Sequence, residues 1–566
     1  MLRARSGHSA DIYAAGMTSA VAPLRYPHFR SLWGATVFSA SGTFIQAVAA
    51  SWLMFELTGS STWVGWMVAS SLLPLFFLSL TAGALADMFD RTKLMLIAQG
   101  IMGGSAVAMA VLTYMDLINP PLLLGLGLVL GSGLALNIPA WQALVPDLVP
   151  RGMVASAVAL QSAAFNAARA VGPAVGGVII VAFGPEAGFA INSLTYIAVI
   201  VVLLIIGPQL AVRERETASM GSAITLGIRF ARFTPTFRNL LALVALFALT
   251  SAVVQATLPV HTDHLGGSAA MFGVLLGAMG VGALAGAFLR PKILRRLEGN
   301  LVPYTITLFG ASGIMLGLAP NLVVAAVAML LVGFFWLLTL STLNASAQLM
   351  APEWIRGRAM SLYTLAFAGI LPLGSILSGM VADQIGTSGS LVVFSSGALV
   401  IGLISPRFGV PRIDDIDTPE FTPERVVQPH TEITLEGGPV IVLNTWTINE
   451  AEFAAFADIM NEVRLVRLST GAYRWRLFRS VSDPTRLTEL FAVESWEEHL
   501  AQHTRIDDTA AALIAHARSF DRDDGPKTRH LIAIDVEQPP DFDDLVATHE
   551  ELHQVDGSIP VPDQDV

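Results

Sequence analysis

Between Phe29 and Pro406 the chain returns repeatedly to apolar stretches of about 20 residues, and the run from Trp63 to Ala82 holds no charged side chain at all. A helix of that length crosses the roughly 30 Å hydrocarbon core of a bilayer. Twelve such stretches are expected, near 31–55, 63–86, 94–115, 121–146, 155–183, 187–207, 239–260, 271–289, 303–318, 322–350, 360–382 and 389–405. Only 14% of the residues are charged, against about 25% in soluble domains. The body of the chain is therefore read as a polytopic α-helical membrane protein.

The basic residues fix an orientation. They gather before the first stretch, in every second connection (Arg91 and Lys93, Arg151, Arg213 to Arg238, Arg290 to Arg296, Arg356 and Arg358) and after the last, at Arg407 and Arg412. Cytoplasmic loops carry such an excess, so both termini are expected in the cytoplasm. Residues 1–28 lack the apolar core of a signal peptide, which leaves insertion to the first helix. The long connection 208–238 parts the stretches six and six, giving bundles at 29–207 and 239–406, and its segment 221–233 reads as a helix lying at the interface.

Charge also divides the chain. Through residue 412 there are 21 Lys and Arg against 13 Asp and Glu, a net of +8, and beyond it 12 against 31, a net of −19. An acidic cytoplasmic appendage is implied, and nucleic acid is an unsuitable partner for it. With no cysteine, thiolate chemistry and disulfides are excluded. No phosphate-cradling GxxxxGK[ST] occurs, so ATP hydrolysis is not expected, and no cofactor is called for.

The two halves echo each other. Gln142, Pro146, Asp147 and Arg151-Gly152 recur as Gln348, Pro352, Glu353 and Arg356-Gly357, each set at the basic end of its half's fourth stretch. Repeated six-helix units with a substrate site between them are a transporter organisation.

Two motifs stand out. GALADMFDRTK (Gly83–Lys93) crowds Gly83, Asp87, Arg91 and Lys93 onto the end of the second stretch. ARAVGPAVGG (Ala168–Gly177) lies in the fifth, with Ala168, Gly172, Pro173, Gly176 and Gly177 as small or bending residues around Arg169. Proline removes a helix hydrogen bond and small residues admit close neighbours. The first motif resembles the loop signature of the major facilitator superfamily, the second the superfamily's exporter motif, with Ala168 where glycine is common. With PHFRSLW at 27–33 and ESWEEHLAQHTR at 494–505, the chain resembles the transmembrane secretion effector group, related to enterobactin exporters.

The resemblance implies a 12-helix major facilitator fold of two six-helix bundles, with Asp87 gating against the opposite half and Arg91 and Lys93 anchoring or capping. It implies no enzyme activity and export of a small molecule, siderophore- or drug-like, from a bacterial cytoplasm across the inner membrane, with protons as the expected coupling ion. Import of an anionic metabolite, and a membrane-tethered enzyme or sensor acting through the tail, are the alternatives.

Arg169 is the one basic residue deep in an apolar stretch, where arginine costs about 2.5–3.5 kcal/mol. It is read either as a cavity residue for an anionic group or as a structural arginine at the kink. Gln46, Asn137, Trp141, Asn166, Gln255, Asn344 and Gln348 are the other candidates for the pathway. Glu56 and Asp383 sit at helix ends and read as solvated caps, with carrying a proton as the other reading.

After a Pro- and Asp-rich linker at 407–432 the tail alternates strand, helix, strand, strand, helix, strand over 433–545, followed by an acidic end, 546–566. That order predicts a ferredoxin-like α+β domain of the dimeric α/β-barrel type, through which a homodimer could form. His499 and His503 are spaced for one helix face, but without a third ligand no metal site is assigned.

Overall fold

The computed structural model describes residues 21–88, 90–209, 220–296, 301–352, 354–411, 438–523 and 525–533, and no side chains between 79 and 89. Among the described residues up to 404 there are thirteen α-helices. They are α1 (Pro27–Thr58), α2 (Ser61–Met88), α3 (Arg91–Tyr114), α4 (Pro120–Leu148), α5 (Val154–Phe183), α6 (Pro185–Ile206), α7 (Met220–Phe233), α8 (Pro235–Ser251), α9 (Val253–His264), α10 (Ala269–Arg296), α11 (Leu301–Gly317), α12 (Leu322–Met350) and α13 (Arg356–Ile404). α8 and α9 together make one apolar span, while α13 is two helices meeting at Gly386, whose φ of 82° only glycine adopts easily. Among the described residues ten spans are long and apolar enough to cross a membrane, and α11 is a shorter apolar helix.

Local chemistry sets the boundaries. Asp90 caps α3 by accepting from the amides of Thr92 and Lys93, and Asn119 caps α4 through the amide of Leu122. Gly59, with φ of 65°, ends α1.

The chain divides into two compact units. The first holds residues 1–220, 239–350 and 360–416, and the second holds 221–238, 351–359 and 417–566. In the second, β1 (Val440–Thr447), β2 (Arg474–Arg479), β3 (Arg486–Val493) and β4 (Lys527–Ile532) form one antiparallel sheet in the order β2-β3-β1-β4. Alternation along β1 buries Val440, Val442, Asn444 and Trp446 on one face. Against the sheet's buried positions pack residues of α14 (Phe453–Thr470), α15 (Trp496–Thr504) and α16 (Asp508–Arg518).

Helix α7 belongs to this second unit. Its buried residues include Leu226, Phe230 and Ala231, while Ile228 is exposed. Arg229 donates to the carbonyl of Gly471 at 2.6 Å and lies 3.5 Å from Glu494. Phe230 meets Trp354, and the guanidinium of Arg505 lies 4.8 Å above the Trp354 ring. Arg505 is itself held by both oxygens of Glu498 and by the Thr470 carbonyl.

Candidate functional site

The glycines of the α5 motif decide which helices come close. A Cβ at Gly172 would lie 2.8 Å from Cβ of Phe44, and one at Gly176 would lie 3.0 Å from Cα of Ile45, so these two positions admit α1. A Cβ at Gly177 would stand 2.6 Å from the Ala269 carbonyl and 3.0 Å from Cα of Gly273, so this one admits α10. Trp52 of α1 stacks on Phe272 of α10 at 5.9 Å and donates to Glu56 at 2.7 Å.

A second seam joins α2 to α13. Gly65 and Gly379 leave room only for the backbone opposite, at Ser375 and Ser61. Ser375 donates to the Gly65 carbonyl at 3.1 Å. Asp383 accepts from the hydroxyl of Ser60 at 2.5 Å and from the amides of Ser61 at 2.8 Å and Thr62 at 3.2 Å. These groups sit at the helix ends remote from the basic connections. Asp383, read as a solvated cap, is exposed and caps the start of α2.

Arg169 lies among α1, α5 and α12. Its guanidinium carbon is 5.8 Å from the Phe44 ring, 5.3 Å from Phe165 and 5.0 Å from Trp336. Three aromatic faces from α1, α5 and α12 thus surround it, a setting that offsets part of the cost of burying a cation. Asn166, expected nearby, donates to the carbonyl of Ser162 in its own helix. Ser162, Phe165, Asn166 and Arg169 follow at helical spacing on one face of α5.

Several pathway candidates have other work. Gln46 is buried, accepts from Asn192 of α6 at 2.5 Å and donates to the sulfur of Met109 in α3, so it joins three helices of one bundle. Asn137 accepts from Gln99 at 3.0 Å, a bond between α4 and α3. Trp141 packs against the apolar core of the first bundle. Asn344 and Gln348 bond to each other along α12 at 2.7 Å, and Gln255 is half-buried on α9. Polar groups in an apolar medium find the nearest partner, and for these that is a neighbouring helix or their own turn.

Of the loop motif, Arg91 pairs with Asp147, which ties α3 to α4 within one half, while Lys93 is exposed. Asp87 and Gly83 lie on α2 where no side chains are described. Sequence reasoning missed His261, buried on α9, whose ring nitrogens reach Thr387 and the Leu316 carbonyl, both at 3.1 Å. A histidine inside an apolar stretch was the available signal.

In the tail, Glu489 is fully buried and accepts from Asn444 at 2.8 Å and Trp475 at 2.9 Å, with Arg467 at 3.5 Å. His499 is buried, with His503 at 3.4 Å between ring nitrogens and the His530 ring at 4.7 Å between centroids. The strand β4 thus brings a third ring that the spacing alone did not show. Among the described residues no group of three or more is arranged to hold a metal ion.

Comparison with known proteins agrees with this architecture. The family described as transmembrane secretion effector matches residues 18–538. The chain is 24% identical to the staphyloferrin A transporter of Staphylococcus aureus, over 64% of this chain and 91% of that one. It is 27% identical to the multidrug efflux pump Tap of Mycolicibacterium fortuitum (68% and 95% covered) and 27% identical to the enterobactin exporter EntS of Escherichia coli O1:K1 (67% and 91%). Among solved structures it resembles the nucleoside transporter NupG, with a TM-score of 0.59 at 11% identity over 67% of this chain and 99% of that one. A bacterial homologue of the lysosomal transporter Spinster, inward-facing, gives 0.55 at 14% identity over 70% and 99%. The family and these relatives are transporters, not enzymes, and this chain belongs to the transmembrane secretion effector family of the major facilitator superfamily.

Proposed function

We propose that the protein exports a small anionic or amphipathic molecule, siderophore- or drug-like, from a bacterial cytoplasm by alternating access. The observation that carries this is the placement of Arg169. A cation in a cage of three rings, at the meeting of two halves and on a stripe of α5 that continues through Asn166 and Ser162, is suited to an aromatic anion. The named substrates of the staphyloferrin A and enterobactin relatives support the class. Asp87, Arg91 and Lys93 would gate the cytoplasmic end, and both termini would be cytoplasmic.

Protons are the proposed coupling ion, with Glu56, Asp383 and His261 as the titratable groups near the seams. The tail is read as ferredoxin-like, which its strand order β2-β3-β1-β4 supports, and as the site of any pairing between two copies.

The test is accumulation of labelled anionic, neutral and cationic compounds in cells making the wild type or Arg169→Ala at equal membrane levels. Lower retention of an anion, lost in the variant and on collapsing the proton gradient, is the expected result. Uptake instead of efflux would make this an importer. No change with any compound would remove the proposal.

A further inference from the structure

The seam between α2 and α13 invites a mechanical reading that rests on alternating access. The two helices run antiparallel: the basic residues lie at the end of α2 and at the start of α13. Their backbones approach through Gly65 and Gly379, which brings the start of α2 within reach of a short side chain on α13. The first amides of a helix have no partner in that helix, and they carry partial positive charge. Asp383 takes two of them, from Ser61 and Thr62, and the Ser60 hydroxyl as well, so both carboxylate oxygens are used across the seam.

We propose that Asp383 is the residue that holds this end of the transporter shut, a carboxylate of the second half locked onto the start of α2 in the first half. Charge-assisted bonds of this kind are stronger than neutral ones, and three converge on one group. Yet Asp383 is exposed and Ser60 half-buried, so water can take over the carboxylate's bonds when the halves part. A buried carboxylate would be a rivet. An exposed one is a catch that opens at low cost. Its place near the end of the first part of α13, before Gly386, mirrors that of Asp87 near the end of α2. The two carboxylates would then serve opposite ends, one from each half.

The chain has no cysteine, so single reporters can be placed in the full-length protein. Ser375→Cys sits in the seam, where the serine is buried, and Ser162→Cys lies on the Arg169 stripe of α5 toward the basic end. Labelling by a small polar maleimide is followed in nanodiscs, where both ends are reachable and no transported substrate is needed. Adding Asp383→Ala is expected to speed labelling at 375 by about ten-fold or more, with Asp383→Asn between. Labelling at 162 should slow in the same variants, because opening one end closes the other. Unchanged labelling at 375 overturns the latch. Faster labelling at both positions also overturns it, since the bundle has then merely loosened. Faster labelling at 375 with none of the slowing at 162 leaves the latch standing and removes alternating access.

Discussion

Replacing Trp336 should harm this protein more than replacing Arg169, although a charge deep in an apolar bundle looks the more specialised of the two. The rings of Trp336, Phe165 and Phe44 lie 5.0, 5.3 and 5.8 Å from the guanidinium carbon. At about 0.5–2 kcal/mol each, the cage returns about 1.5–6 kcal/mol. An arginine at such depth costs about 2.5–3.5 kcal/mol. At the middle of the two ranges the terms nearly cancel, so Arg169→Met, which keeps length and removes charge, should shift unfolding by only about 1 kcal/mol. Trp336→Ala removes a largely buried indole, worth about 3–5 kcal/mol, and strips the nearest face from the cation. In the Arg169→Met background the same tryptophan deletion should cost about 1–2 kcal/mol less, which is the coupling of the pair. The assay is thermal unfolding of the detergent-solubilised protein across the four-member cycle, with export measured alongside. If Arg169→Met proves the costlier change, or the cycle is additive, the rings do not hold the arginine and the account of the cage is wrong.

Other expectations concern packing, the tail and its titration. Gly177→Val drives a side chain into the Ala269 carbonyl, an overpacking cost of about 1–3 kcal/mol. It should weaken the α5–α10 seam, raising thiol labelling of an Ala270→Cys reporter; unchanged labelling would mean the helices part there without strain. Arg505→Ala removes the stack on Trp354 and three hydrogen bonds. Hydrogen exchange in peptides covering 354–361 should rise several-fold while β1 and β3 stay protected, and Arg505→Lys should recover only part. Burial first, then His503, His530 and Arg467, pushes His499 down to about 3. It is therefore neutral in the fold at neutral pH, and its contribution is fully present above about pH 6.5. As the pH falls from there toward 3, the tail should lose about 1.4 kcal/mol per unit. Unfolding of the full chain followed at the tail's peptides should show this, and His499→Phe should flatten it. An unaltered slope in that variant would assign the effect elsewhere.

Much of the architecture follows from the sequence because the solvent leaves little choice. A run such as Trp63 to Ala82 has no charge to solvate and must be a helix in hydrocarbon. Basic residues in alternate connections and the Gln142–Gly152 repeat are the sequence's grounds for expecting two halves. The small residues of the α5 motif announced a close contact, and Gly172, Gly176 and Gly177 make one. The first strand expected in the tail is there as β1, Val440–Thr447, and the structure shows that one face of it is buried.

Partners were not legible. Gln46, Asn137 and Arg169 are all polar residues in apolar stretches, yet the first two bond to Asn192 and Gln99 while the third is enclosed by rings. Nothing within a helix states which neighbour will face a given side chain, because that depends on rotation and crossing set by every other contact. The same holds for Asp383, whose partners lie more than 300 residues earlier, and for His530, brought beside His499 only by the pairing of β4 with β1. Hydrophobicity and periodicity are local and are written along the chain. The meeting of distant side chains is decided only when the whole is packed.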